Sequence, residues 1–425
     1  MNPNRLHAWQ AADRIARREL RAEDLVRACL ERIDEREPAL HAFVQLDREA
    51  ALAQARALDA GPLRGWLHGL PLGVKDVFDT VDLPTGYGTP IHAGHRPAAD
   101  AAAVSLCREA GSLVLGKTVS TELANMHPGP TCNPHRLTHT PGGSSSGSAA
   151  AVADFMLPLA LGTQTAGSLI RPAAFCGIVG YKPSLGRVPR AGVKSLSESL
   201  DTVGGFGRCV RDIALLGAVL TGDARLRHWQ APDAPRIGLC RTPQWDQADA
   251  DTQRTWQHAA DVLAPLAAAC RDTALPAGSL AWVQLQKDVM AHETARSLSH
   301  ERTRHAARLS TPLRALLDAG SAIDGAMHAA DVAAVMRARQ AVDALFERHD
   351  LLLAPSTLGE APAGLDHTGD PLFCRGWTML GLPCIHLPVG HGASGLPVGV
   401  QLIGRYGDDH RLLGAAQWAF ERLGG

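Results

Sequence analysis

Short apolar, β-branched runs alternate with helical patterns along most of this chain, and that alternation restricts the fold it can adopt. LPLGVKDVF (70–78) and GSLVLGKT (111–118) have strand texture; between them AAAVSLCREA (101–110) has helical spacing and stops at Gly111. A small-residue helical pattern, SAAAVADF (148–155), runs directly into the strand-like MLPLALGT (156–163). DLLLAPST (350–357), PCIHLPVG (383–390) and PVGVQLIG (397–404) return to strand texture before a closing helix near His410 to Leu423. Such alternation indicates an α/β layered domain, because each element must bury its apolar face against a neighbouring layer.

Two stretches differ. The first sixty residues read as helices, with Leu25, Val26, Cys29, Leu30 and Ile33 at near-helical spacing. Residues from about 221 to 350 are Ala-rich and helical in pattern, apart from the strand-like RIGLC at Arg236 to Cys240. The expected organisation is an N-terminal helical segment over 1–60, then one large unit over 61–425 with a helical insertion at about 221–350. There is no internal repeat and no low-complexity linker.

Bulk properties narrow the class of partner. Formal net charge is −1, from 42 Lys plus Arg against 43 Asp plus Glu, so neither nucleic acid nor an anionic membrane is called for. Clusters such as Arg14 to Arg21 read as solvated helix faces. No apolar run reaches the roughly 20 residues of a membrane helix, and MNPNRLHAWQ has no apolar signal stretch. Nine cysteines without a repeating framework suit a reducing compartment. The expectation is a cytoplasmic protein that acts on a small molecule.

Three clusters could carry chemistry. PGGSSSGSAAA (141–151) crowds backbone N–H groups and hydroxyls where a helix begins, a place that stabilises negative charge. Its letters also fit a flexible linker, but apolar segments follow it closely. Gly143 to Gly147 match G-x-S-x-G, yet Thr138, His139, Thr140 and Pro141 do not read as the strand a nucleophile elbow requires. GTQTAGSLIRP (162–172) puts small residues, Thr165, Ala166, Gly167 and Ser168, on a turn after a strand, where amides can face a reacting carbonyl. Lys75, one of five lysines, lies in an apolar strand pattern where desolvation would favour the neutral amine. Alone, it would read as a snorkelling lysine or one paired with Asp76 or Asp79.

Taken in order, GVKD, GKT, PGGSSSGSAAA, GTQTAGSLIRPAAFCGIVGYKPS and GLPVGVQLIG make the chain resemble the amidase-signature family from about Leu25 to Leu423. Ser144 and Ser168 are 24 residues apart, the family's spacing. The resemblance implies an α/β fold, a single domain with a mixed sheet of about eleven strands between helical layers. It implies Lys75 as base, Ser144 as relay behind a cis Gly143–Ser144 peptide, and Ser168 as nucleophile. It also implies an oxyanion hole from Thr165, Ala166, Gly167 and Ser168, and no cofactor. Four features depart from the common pattern: Ser146 for glycine, Gln164 for aspartate, Ala166 for glycine, and Arg171 three residues after the nucleophile. These features, with TGDP (368–371), Trp377-Thr378 and Gly381 to Cys384, are similar to bacterial malonamidases. That likeness implies that Arg171 binds a substrate carboxylate; the plainer reading pairs it with a structural carboxylate.

The expected function is hydrolysis of a small linear amide through an acyl-enzyme, with a dicarboxylic monoamide as the narrower substrate; a homodimer is compatible with it. One alternative is the glutaminase-type subunit of an amidotransferase complex. Another is a metal-dependent amidohydrolase using His127, Cys132, His135 and His139, although Pro128, Pro130, Pro134 and Pro141 oppose the helix that would gather them. No metal is expected. Cys176 reads as a buried structural thiol.

Overall fold

The computed structural model describes residues 2–228 and 234–425. Helices α1 (Ala8–Ala16) and α2 (Ala22–Leu40) are followed by strand β1 (Phe43–Leu46) and α3 (Arg48–Ala60). Next come β2 (Pro71–Lys75), α4 (Ala102–Glu109), β3 (Leu113–Thr118), α5 (Ser146–Ala153) and β4 (Leu159–Gln164). Helix α6 (Ile170–Cys176), β5 (Val179–Lys182), β6 (Thr202–Gly207) and α7 (Val210–Thr221) complete the first half. The stretch expected to be helical holds β7 (Arg236–Leu239), α8 (Ala250–Leu263), β8 (Ala269–Asp272), α9 (Trp282–Ser297), α10 (Ser299–Arg304), α11 (Thr311–Ser321) and α12 (Gly325–Asp343). The chain closes with β9 (Leu351–Pro355), α13 (Leu372–Met379), β10 (Cys384–His391), β11 (Pro397–Ile403) and α14 (Asp409–Arg422).

All eleven strands join one mixed sheet in the order β1-β3-β2-β4-β6-β5-β10-β11-β9-β7-β8, as the resemblance implied. Strands β3, β2 and β4 run parallel, as do β8, β7 and β9, while the centre is antiparallel. Four strands escape the sequence patterns: β5 and β6 are buried but short or Gly-rich, with two glycines in the middle of β6, so neither presents an apolar run. β1 and β8 are four residues each, close the two sheet edges and carry no fully buried residue, so no apolar run marks them. Among the described residues no helix is long and apolar enough to cross a membrane.

In β9, β10 and β11 the strands separate two cores by simple alternation. In β9, Leu351 and Leu353 pack with α7, α8 and α14, whereas Leu352 and Ala354 pack with α9, α12 and α13. Ile385, Leu387, Val400 and Leu402 join the first core, Cys384 and Ile403 the second. A strand that buries apolar side chains on both faces therefore reads as an unbroken apolar run.

The PGGSSSGSAAA stretch is packed hard against the parallel strands. Ser148 Oγ donates to the Leu161 carbonyl at 2.8 Å, and Gly147 N donates to the Val119 carbonyl at 3.1 Å. A Cβ on Gly147 would come within 2.1 Å of the Ala42 carbonyl oxygen and 2.4 Å of Val119 N. This is a rigid seat and no linker. Gly147→Ala is therefore expected to destabilise the protein by about 1–3 kcal/mol or more, read from its urea midpoint. Gly325→Ala, in the first turn of α12 with no atom within 4 Å of the new Cβ, should stabilise by about 0.4–1 kcal/mol.

Candidate active site

The site lies at the carboxyl ends of the parallel strands β2 and β4, where α/β sheets present ligands. β2 ends on Lys75, whose side chain is fully buried. Its Nζ is 2.7 Å from Ser144 Oγ and 2.7 Å from Thr163 Oγ1. Neither aspartate named as a possible partner takes it. Asp76 pairs with Lys117 at 3.2 Å, and Asp79 accepts the Tyr87 hydroxyl at 2.6 Å. Burial lowers the Lys75 pKa from 10.5 to about 7, opposed by the charge of Asp201. The snorkelling and ion-paired readings are both absent from the geometry.

Ser144 is set by the backbone around it. The Gly143–Ser144 peptide is cis, as implied. Gly142, at φ 79°, makes the preceding turn, and its Cβ position would lie 2.8 Å from Pro172 Cα. The Ser144 carbonyl accepts from Thr121 N at 3.2 Å. Ser145 Oγ meets both backbone groups of Thr163, donating to its carbonyl at 3.3 Å and accepting from its amide at 3.4 Å. These contacts tie the serine loop to the end of β4.

The turn after β4 carries Thr165, Ala166, Gly167 and Ser168. Among the described residues, none accepts a hydrogen bond from the backbone N–H of any of the four. Four consecutive free amides on a turn whose Thr165 and Ser168 are buried form a ready anion receptor. Gln164 holds the far side. Its Oε1 accepts from Leu169 N at 2.8 Å and Ile170 N at 3.0 Å, and its Nε2 donates to Thr378 Oγ1 at 2.9 Å. The amide thus accepts as the commoner carboxylate could, and also donates, which a carboxylate cannot. Thr165 Oγ1 donates to Asp201 at 2.6 Å, and burial pushes the Asp201 carboxyl up against the pull of that bond and of the Leu196 and Ser197 amides.

Arg171 is buried but meets no structural carboxylate among the described residues. Nη2 donates to the Gly143 carbonyl at 2.6 Å and Nη1 to the Gly369 carbonyl at 2.5 Å. It therefore braces the peptide that leads into Ser144. The four candidate metal ligands do not converge: among the described residues the one close trio is His7, Cys209 and Asp212, far along the chain from them. His135 Nε2 instead meets the Cys176 carbonyl at 2.9 Å. Cys176 is buried with its thiol raised by burial, its Sγ on the Pro141 carbonyl at 3.4 Å.

Sequence reasoning misses four supporting residues. Thr163 lies within a motif that assigns it no role; Asp201, Gln286 and Arg375 carry no motif at all. A cavity of about 270 Å3 adjoins the site, lined by Thr163, Thr165 and Asp201 on one side and by Ala124, Arg190 and Lys194 on others.

Known proteins share this fold and much of this sequence. A family model described as Amidase matches residues 24–413. A glutamyl-tRNA(Gln) amidotransferase subunit of Acidothermus cellulolyticus is 35% identical, over 96% of this chain and 93% of that protein. A solved structure of an amidase superposes with a TM-score of 0.91 at 31% identity, covering 99% of this chain and 100% of the other. The native peptide amidase of Stenotrophomonas maltophilia gives 0.85 at 28% identity, covering 99% and 97%.

The buried amine makes stability depend on pH. Lys75 holds a proton less firmly when folded than at its ordinary value of 10.5, so unfolding takes up a proton between about pH 7 and 10.5. Stability from this group therefore rises with pH through that window and is smallest below it. Lys75→Met should be more stable than wild type in urea at pH 6, with its advantage shrinking by pH 9. An advantage equal at both pH values would contradict the burial effect.

Proposed function

This chain belongs to the amidase family, and we propose that it is a free-standing cytoplasmic hydrolase of the C–N bond of a small linear amide. The observation that carries the reading is the buried Lys75 amine bonded to the Ser144 hydroxyl, beside a turn with four free amides. A lysine whose pKa falls to about 7 is half neutral near neutral pH and can accept a proton.

Ser168 Oγ attacks the amide carbonyl carbon, and its proton passes to Ser144 while the Ser144 proton passes to Lys75 Nζ. The carbonyl oxygen becomes an oxyanion held by the N–H groups of Thr165, Ala166, Gly167 and Ser168. Lys75 returns the proton through Ser144 to the leaving nitrogen, the C–N bond breaks, and an ester to Ser168 remains. Water then attacks that ester by the same relay, releasing the carboxylate. Each step uses side chains and amides of this chain, so the mechanism requires no cofactor. The adjoining cavity of about 270 Å3 suits a small substrate.

A relative named as an amidotransferase subunit keeps a second reading in view, a glutaminase that works only within a complex. Free hydrolysis is supported by the likeness to a peptide amidase, although the amidotransferase subunit is matched over nearly as much of both chains and at higher identity. Ammonia released from small amides by the purified chain alone decides between them.

The narrower substrate, a dicarboxylic monoamide such as malonamate, rests on Arg171. The buried guanidinium donates to two neutral carbonyls, feels Asp370 only through space, and has an Nε–H without an acceptor among the described residues, which leaves a donor for a substrate carboxylate. Arg171→Lys should raise KM for acidic amides about tenfold or more beyond whatever it costs neutral amides, whose loss reports the brace on Gly143. Equal loss on both would reduce Arg171 to its brace.

The catalytic assignment has its own test. Ser168→Ala should lose about 10^4-fold or more of the rate and form no acyl-hydroxamate with hydroxylamine. Lys75→Ala should lose about 10^2- to 10^4-fold. Lys287→Ala, on the exposed side of α9, should stay near wild type. Wild-type activity should climb with pH along a limb centred near 7, as Lys75 sheds its proton. Near-normal turnover by Lys75→Ala would overturn the assignment.

A further inference from the structure

Gln286 lies in the second turn of α9 with no exposed surface, in a stretch where the sequence marks no site. Its Nε2 donates to the Thr165 carbonyl at 3.0 Å, and its Oε1 accepts from Arg375 Nη1 at 2.5 Å. The second bond orients the first. An arginine can only donate, so the side of the amide that faces Arg375 must be oxygen, and the NH2 group is left facing Thr165. Arg375 is itself buried, and among the described residues no carboxylate pairs with it.

The consequence for the turn follows from peptide geometry. The Thr165–Ala166 peptide is trans, since Gly143–Ser144 is the one cis bond among the described residues. In a trans peptide the carbonyl and the next N–H point in opposite directions within one plane. A donor that holds the Thr165 carbonyl outward therefore turns the Ala166 N–H inward, and that N–H has no acceptor among the described residues. The next plane has a similar but weaker hold. Thr378 Oγ1 is 2.8 Å from the Ala166 carbonyl, but its single proton also has the Cys374 carbonyl at 3.0 Å.

We infer that Gln286, oriented by Arg375, is a positioning residue that aims the Ala166 N–H into the oxyanion hole. It touches no reacting atom; it acts through Thr165. The inference rests on the reading of residues 165–168 as that hole. Its effect belongs to the transition state, because charge on the carbonyl oxygen is greatest there.

Gln286→Glu is the discriminating variant. It keeps the side chain's shape and the acceptor for Arg375 but offers no N–H to the Thr165 carbonyl. We expect kcat to fall on the order of 10- to 100-fold with KM within about twofold. Inhibition by a peptide aldehyde or a boronic acid, which form tetrahedral adducts with Ser168, should weaken by the same factor as kcat. Arg375→Lys, which retains a donor for Oε1, should keep more activity than Arg375→Met, which frees the amide to turn. If Gln286→Glu loses its cooperative unfolding transition, Gln286→Met, uncharged and of similar length, takes the same measurements and the same expected losses. A folded variant with wild-type kcat and inhibitor affinity overturns the inference, as does a loss carried by KM alone. These outcomes leave the proposed function standing as long as wild type turns over and Ser168→Ala does not. A wild type that hydrolyses no amide overturns both.

Discussion

The Lys75 amine, buried between two hydroxyls with no carboxylate partner among the described residues, is the constraint around which the rest is arranged. An ammonium in such a place is costly, and the protein lowers the cost by letting the proton go. That solution works only if nearby carboxylates are kept occupied. Asp76 is turned to Lys117, Asp79 to Tyr87, and Asp201 to Thr165 and two backbone amides. Asp201 still acts on Lys75 through space, so the amine is held near neutrality and not driven far below it. A direct ion pair would have fixed the charge and removed the base.

Placing that amine takes three separate segments. β2 delivers Lys75, the loop before α5 delivers Ser144, and the end of β4 delivers Thr163 and the turn beyond it. Ser145 and Ser148 bond the loop to β4, and Arg171 ties Gly143 to α6. The crowding of serines and glycines in 142–148 is thereby explained: glycines where backbones nearly touch, serines where a buried loop needs its backbone groups satisfied.

Arg171, through its bond to Gly369, and Gln286 show how the second half of the chain enters the site. The sequence sets Arg171 against two carboxylates, one in the protein and one in a substrate, and its observed partners are the carbonyls of Gly143 and Gly369. Nothing in a one-dimensional pattern distinguishes a guanidinium on a carboxylate from one on a carbonyl. Gln286 is invisible for a different reason. The stretch around it is polar and helical, with no motif, and its role exists only because α9 packs beside α13 and over Thr165. The region read as a helical insertion also contributes β7 and β8 to the common sheet.

The sequence by itself determined the alternation of strands and helices, the buried sheet strands that present an unbroken apolar run, and the Gly/Ser loop with its 24-residue spacing to Ser168. These are local properties: an apolar run, a turn of small residues and a lysine among β-branched neighbours each leave a mark within a few positions. Tertiary structure alone decided that Lys75 meets hydroxyls and not Asp76, that β1 and β8 join the sheet edges, and that Gln286 holds the Thr165 carbonyl from 121 residues away. The physical reason is that a hydrogen bond is set by which groups packing brings within about 3 Å at a usable angle. Distance along the chain carries no information about that.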